Sequence, residues 1–169
     1  MLCYIAGMVR DSRIAIGASA KLSSFAALMS LYESNFIRLN WLIQEPQEFI
    51  GEQQSSVPGD CTLHLRLLER TRHTSTLHMT YMFEESGLWI ADPDMTIRIY
   101  HDARLAEAMA CSRVHRHEIL RQFDTGCTQE VNRRRVRNSM LNKWLEYCTD
   151  NGHRFVAIGS TAGLSQAVS

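Results

Sequence analysis

Between positions 98 and 107 the chain sets a guanidinium, a phenol, an imidazole and two carboxylates close together: Arg98, Tyr100, His101, Asp102 and Glu107. An imidazole beside a carboxylate, with an arginine near by, is a residue set that can move a proton while an anion is held. On a strand, however, neighbours point to opposite faces, so His101 and Asp102 converge only if a turn reorients one of them. The simpler reading has Asp102 shaping a turn through its backbone contacts and His101 ending a strand. If Asp102-Ala103 are the central residues of a two-residue turn, Arg98 falls directly opposite Glu107. Opposite charges across an antiparallel pair stabilise it by about 0.2–1 kcal/mol. The functional alternative is that Glu107 orients Arg98 toward an anionic ligand. The turn lacks the glycine that two-residue turns favour, so a loop of three or four residues competes with it.

A second polar stretch, Glu69-Arg70-Thr71-Arg72-His73-Thr74, sets two guanidinium forks beside two hydroxyls. Such forks take phosphate or carboxylate, although the same composition also makes a solvated hairpin tip. Arg72 and Arg98, from two different hairpins, are expected to face one solvent-accessible depression, with Thr71, His101 and Glu107 at its edge. Two guanidiniums brought together repel, so the arrangement requires a compensating acid, Glu107, or a bound anion.

His115 and His117, with Cys111 and Cys127 near by, do not match the spacing of a structural zinc site, and no metal is expected. Arg133, Arg134, Arg135 and Arg137 form a basic run that could meet nucleic acid, but no stacking aromatics interleave with it. A solvated helix entry is the plainer account. No Gly-rich phosphate loop, Gly-x-Ser-x-Gly elbow or His-Glu-x-x-His occurs, so no cofactor is expected.

The bulk properties narrow the partners further. Eighteen basic residues balance eighteen acidic ones, which removes a whole-chain electrostatic argument for nucleic acid or acidic membranes. Five cysteines, odd in number and without a Cys-x-x-Cys, argue against a closed disulfide framework and suit a reducing cytoplasm. No apolar run approaches the roughly 20 residues that span a bilayer. The opening Met1-Leu2-Cys3-Tyr4-Ile5 lacks the basic region of a signal peptide, and Met8 is an alternative start.

The elements that must position these groups follow from periodicity. Residues 1–22 carry no clear period and read as a flexible N-terminal tail. Phe25, Leu28, Met29, Tyr32, Phe36, Leu39, Leu42 and Ile43 recur at helical spacing, with Ser23 or Ser24 as N-cap and Pro46 as the stop. Residues 46–60 read as an exposed loop. Leu63, Leu65 and Leu67 alternate with His64 and Arg66, and Leu77, Met79, Tyr81 and Phe83 with His78 and Thr80, giving one hairpin. Residues 84–93 read as a loop with Trp89 and Ile90 folded onto the core. A second hairpin runs through residues 96–111. Residues 112–127 fit an irregular segment or a further strand equally. Thr128 caps a last helix whose apolar face is Val136, Met140, Leu141, Trp144, Leu145 and Cys148, closed by Asn151-Gly152. A short strand follows at 155–158, and residues 159–169 form a flexible C-terminal tail.

Three stretches carry a family resemblance: Leu31-Tyr32-Glu33-Ser34-Asn35-Phe36 with Leu39 and Leu42; residues 69–74; and Met95-Thr96-Ile97-Arg98-Ile99-Tyr100-His101-Asp102-Ala103 with Ala106-Glu107. Asn138, Leu141, Trp144, Leu145, Tyr147, Cys148 and Gly152 add a fourth. In these the chain resembles the YqiB-like family, small bacterial proteins containing a domain of unknown function. It departs from that pattern between Ser112 and Arg137. The resemblance implies a cytoplasmic protein and names no substrate.

The expectation is therefore a single α+β domain over residues 23–158, an antiparallel sheet of two hairpins flanked by an N-terminal and a C-terminal helix. The expected role is a non-catalytic binding or regulatory domain for a small anionic ligand or an acidic partner, held by Arg72 and Arg98. The alternatives are a small enzyme using His101 with Asp102 or Glu107, and nucleic-acid binding through the arginine run.

Overall fold

In the computed structural model, which describes residues 25–111 and 130–156, the alternating segments form one antiparallel sheet of five strands in sequence order. The strands are β1 (Glu52–Ser55), β2 (Thr62–Arg70), β3 (Thr74–Glu85), β4 (Leu88–Tyr100) and β5 (Leu105–Cys111). Helices α1 (Phe25–Leu42) and α2 (Glu130–Asp150) precede and follow them. The class is α+β, as the alternation implies.

One face of the sheet takes the helices. Leu63, Leu65, Leu77, Met79, Tyr81, Met95, Ile97, Ile99, Ala106 and Ala108 share that face. They are buried in a single core with Leu39 and Leu42 of α1 and Met140, Leu141, Trp144, Leu145 and Cys148 of α2. The period of 2 along each strand sends the apolar residues there, and the intervening polar ones go to the other face. Leu67 is only partly buried, because it lies where the register of β2 shifts.

Several local expectations need correction. Residues 52–55 are a strand rather than loop: they pair with residues 63–66 of β2, a tertiary contact that their own polar composition does not announce. Residues 84–93 are likewise not a loop. β3 and β4 continue as a ribbon to a tight turn at Ser86-Gly87, both at positive φ, which leaves Trp89 exposed rather than folded onto the core. Phe25 is exposed too.

The last helix ends as expected. Gly152 takes φ 92°, its amide bonds the Thr149 carbonyl, and the His153 amide bonds that of Cys148, the paired closure of a Schellman motif. Beyond it Phe155 makes a parallel bridge with Ile43, and residues 157–158 of the expected short strand lie outside the described residues. Cys111 and Cys148 are thiols, but Cys61 is disulfide-bonded, against the expectation from the cysteine count. The expected tails, the segment 112–127 and the cap at Thr128 lie outside the described residues. Among the described residues no helix is long and apolar enough to cross a membrane.

Candidate functional site

The face of the sheet turned away from the helices is polar, and its register sorts the side chains into rows. Glu69, Thr76, Arg98 and Glu107 stand side by side across β2 to β5. Arg66, His78 and Thr96 form the next row, and His64, Thr80 and Asp94 the one after. Arg98 and Glu107 are direct partners, the register expected from the turn, although the strands stop at Tyr100 and Leu105 and residues 101–104 form a four-residue loop. Arg104 in that loop adopts φ 55°.

Glu69 reaches this face because of a bulge. Leu63, Leu65 and Leu67 point to the core, so strict alternation would send residue 69 inward as well. The register shift between Leu67 and Glu69 inserts Leu68, puts Glu69 opposite Thr76 on the polar face, and sends Arg70 to the helix side opposite Ser75. There Arg70 Nη2 donates to the carbonyls of Pro46, at 3.3 Å, and Phe49, and its Nε to Ser75 Oγ at 3.4 Å.

Arg98 occupies the middle of the row and is half-buried. Its Nε donates to Thr76 Oγ1 at 3.3 Å, and its Nη2 stands 3.7 Å from Glu69 Oε2, an ion pair longer than a hydrogen bond. Arg66 is exposed in the adjacent row. Among the described residues neither it nor Arg72 makes a hydrogen bond or ion pair through its side chain. Arg72 lies exposed in the β2–β3 turn.

Glu107 is committed elsewhere. Only 6% exposed, its Oε1 accepts from Tyr32 Oη of α1 at 2.7 Å and from Arg134 Nη1 of α2 at 3.4 Å, and its Oε2 from Tyr100 Oη at 3.5 Å. Burial first, and the hydrogen bond to Glu107 second, raise the Tyr32 phenol above its ordinary value, so it stays a donor. Arg137 of the same basic run donates to the Ala108 carbonyl. Arg134 and Arg137 thus serve the packing of α2 on β5.

The other expected residues belong to the two neighbouring turns. Thr71 Oγ1 accepts from the Thr74 amide at 3.1 Å and bonds Thr74 Oγ1 at 2.9 Å, closing its own turn. The His101 amide donates to the His73 carbonyl, which ties the turns together. His101 Nε2 lies 2.9 Å from Ser75 Oγ, whereas Asp102 pairs with His73. His101 and Asp102 therefore face different partners, and Glu107 is held by a third set. Burial and then the charge of Arg70 lower the His101 pKa from its usual value, leaving the ring neutral near pH 7.

A second cluster lies outside the groups that the sequence singles out. Asp60, in the β1–β2 connection, accepts from the Cys61 amide, from Tyr81 Oη at 3.0 Å and from Tyr147 Oη at 3.4 Å, and faces His153 Nε2 at 3.2 Å. The other nitrogen of His153 lies 3.0 Å from Ser55 Oγ, which also accepts the Arg154 amide. Both the Asp60 and His153 side chains are essentially without solvent contact. Burial alone would raise the Asp60 carboxyl, but the hydrogen bonds from His153, Cys61 and Tyr81 outweigh it and hold the pKa below the ordinary carboxylate value. Serine, histidine and aspartate are the residue types of a hydrolase triad, but the buried ring leaves no place for a substrate. The set instead closes the end of α2 onto β1. A histidine directly after Asn151-Gly152 is its one sign in the sequence.

No solved structure matches the chain significantly. Among curated proteins it is similar to the uncharacterized protein YqiB of Escherichia coli K12, at 27% identity over 76% of this chain and 90% of that protein. The same protein of strains O6:H1 and O157:H7 matches equally. The model of the family described as protein of unknown function (DUF1249) matches residues 38–154, from the second half of α1 to the segment after α2, and the chain belongs to that family.

Proposed function

We propose that the protein is a non-catalytic, cytoplasmic binding domain that takes a small anionic ligand on the polar face of its sheet, with Arg98 as the principal contact. The observation that carries this reading is the state of the Arg98 guanidinium. A guanidinium offers five N–H donors. Arg98 commits one to the neutral Thr76 and approaches Glu69 only at 3.7 Å, in the centre of a face with Thr76, His78 and Thr96 around it. Arg66, in the adjacent row, adds positive charge at its margin, and the proposed site extends to Arg72 of the β2–β3 turn. The acid that sequence alone sets against Arg98, Glu107, is instead paired with Arg134 and hydrogen-bonded by Tyr32 and Tyr100.

The test is thermal unfolding in increasing succinate and inorganic phosphate at constant ionic strength. A ligand that binds the native state raises the melting temperature with concentration. The wild-type protein is expected to respond and Arg98→Met not to, with Arg72→Met and Arg66→Met weakened. Equal responses of wild type and Arg98→Met would refute the reading.

A further inference from the structure

Glu69 and Arg98 lie in one cross-strand row, two strands apart, and Glu69 faces that row only because β2 bulges at Leu68. We infer that the Glu69 carboxylate is an internal stand-in for the ligand: it occupies the anion position of Arg98 and is displaced by the carboxylate of a small molecule. This rests on the binding reading above and gives the ligand its chemical class.

Three observations support it. First, the pair is held loosely: Nη2 and Oε2 are 3.7 Å apart, and the Glu69 side chain is 61% exposed against 35% for Arg98. A surface ion pair of this kind contributes little and is exchanged at little cost. Second, Glu69 makes no other ion pair or side-chain hydrogen bond among the described residues, so its release leaves no other group unsatisfied. Glu107, in contrast, is buried under three donors and is not exchangeable. Third, Thr76 Oγ1 holds Arg98 Nε, which leaves the other edge of the fork for the row where Glu69 stands. A group that binds where a carboxylate now rests is matched in shape and charge by another carboxylate, since the planar fork pairs with it bidentately.

The experiment compares succinate and phosphate binding, by calorimetric titration, to wild type, Glu69→Gln, Glu69→Asp and Arg98→Met. Removing the internal competitor is expected to tighten succinate binding about two- to fivefold, the factor for a surface pair worth up to about 1 kcal/mol. Glu69→Asp separates competition from a general charge effect. Its shorter side chain keeps the charge but not the reach, so competition predicts tightening there as well, whereas a field effect predicts none. Succinate binding that is abolished by Arg98→Met yet unchanged in both Glu69 variants overturns the stand-in while leaving the binding reading in place. A larger gain for phosphate than for succinate overturns the carboxylate class. Binding that is indifferent to Arg98→Met overturns the binding reading itself. Glu69 is exposed, so both of its variants are expected to melt within a few degrees of wild type, and a Glu69→Ala protein provides a third folded comparison.

Discussion

His153 Nε2 stands 3.2 Å from Asp60 Oδ2, with neither side chain meaningfully exposed and 93 positions of sequence between them. With the proton on Nε2, a chain of donors runs from the Arg154 amide to Ser55 Oγ, from the Ser55 hydroxyl to His153 Nδ1, and from Nε2 to Asp60. Tyr81 and Tyr147 complete the shell of the carboxylate. Removing one partner of a buried charged network leaves the others desolvated and unpaired, so Asp60→Ala is expected to cost about 3–5 kcal/mol in chemical unfolding.

The same carboxylate sets an acid limit. Its folded pKa is depressed, so in the unfolded chain Asp60 takes up its proton first as pH falls. The stability it contributes is complete above the ordinary Asp value, about 3.9, and is lost as pH drops from there through the lower folded value. Unfolding free energy measured between pH 6 and about 2.5 should fall more steeply in wild type than in Asp60→Asn. Parallel profiles would exclude Asp60 as a source of acid sensitivity.

At Ala106 and Ala108 the outer edge of β5 is met by amide side chains of the two helices. Asn138 Oδ1 accepts the Ala108 amide at 2.8 Å and Asn35 Nδ2 at 3.1 Å, while Asn35 Nδ2 also reaches the Ala106 carbonyl. Asn142 Nδ2 donates to Asn35 Oδ1, and Asn138 Nδ2 to the Arg134 carbonyl. Covering an edge in this way removes a pairing template. Asn138→Ala strands the Ala108 amide and is expected to cost about 1–3 kcal/mol. Hydrogen exchange at Ala108 should accelerate, and the double change with Asn35→Ala should cost less than the two single changes added.

These networks mark where sequence reading stops. The alternation of Leu63, Leu65 and Leu67, and of Met95, Ile97 and Ile99, is a local property of the chain, so the strands, the core face and the Arg98–Glu107 register follow from it. The role of Glu107 does not, because its donors Tyr32 and Arg134 come from the two helices. Nor does the position of Glu69, which a single bulge moves from one face to the other without any glycine to announce it. β1 is similar: Glu52-Gln53-Gln54-Ser55 has the composition of a loop and is a strand only because β2 and His153 receive it.

Thiol chemistry gives an independent check on burial. Burial, followed by the charges of Asp92 and Asp94, pushes the Cys111 thiol up to about 12, and burial raises Cys148 as well. The thiolate is the reactive form. In the native protein at about pH 8 iodoacetamide should therefore modify both slowly, and both should react once the chain is unfolded. Rapid native labelling of Cys148 would contradict its place beside Tyr81 in the core.

The two members of the Arg98–Glu107 pair should respond to substitution by different amounts. Arg98 is partly solvated and held by one neutral hydroxyl and one long ion pair, so Arg98→Met is expected to change the stability of the unliganded protein by less than about 1 kcal/mol. Glu107 receives Tyr32 and Arg134 on one oxygen and Tyr100 on the other, all within a nearly buried site. Glu107→Gln replaces one acceptor oxygen by a donor, which then meets a hydroxyl or the guanidinium, and should cost about 1–3 kcal/mol. A cross-strand salt bridge acting alone would make the two losses similar. Denaturant unfolding of both variants without added anion decides between these accounts: a marked excess for Glu107→Gln is expected, and equal losses would return Arg98 to a purely structural role.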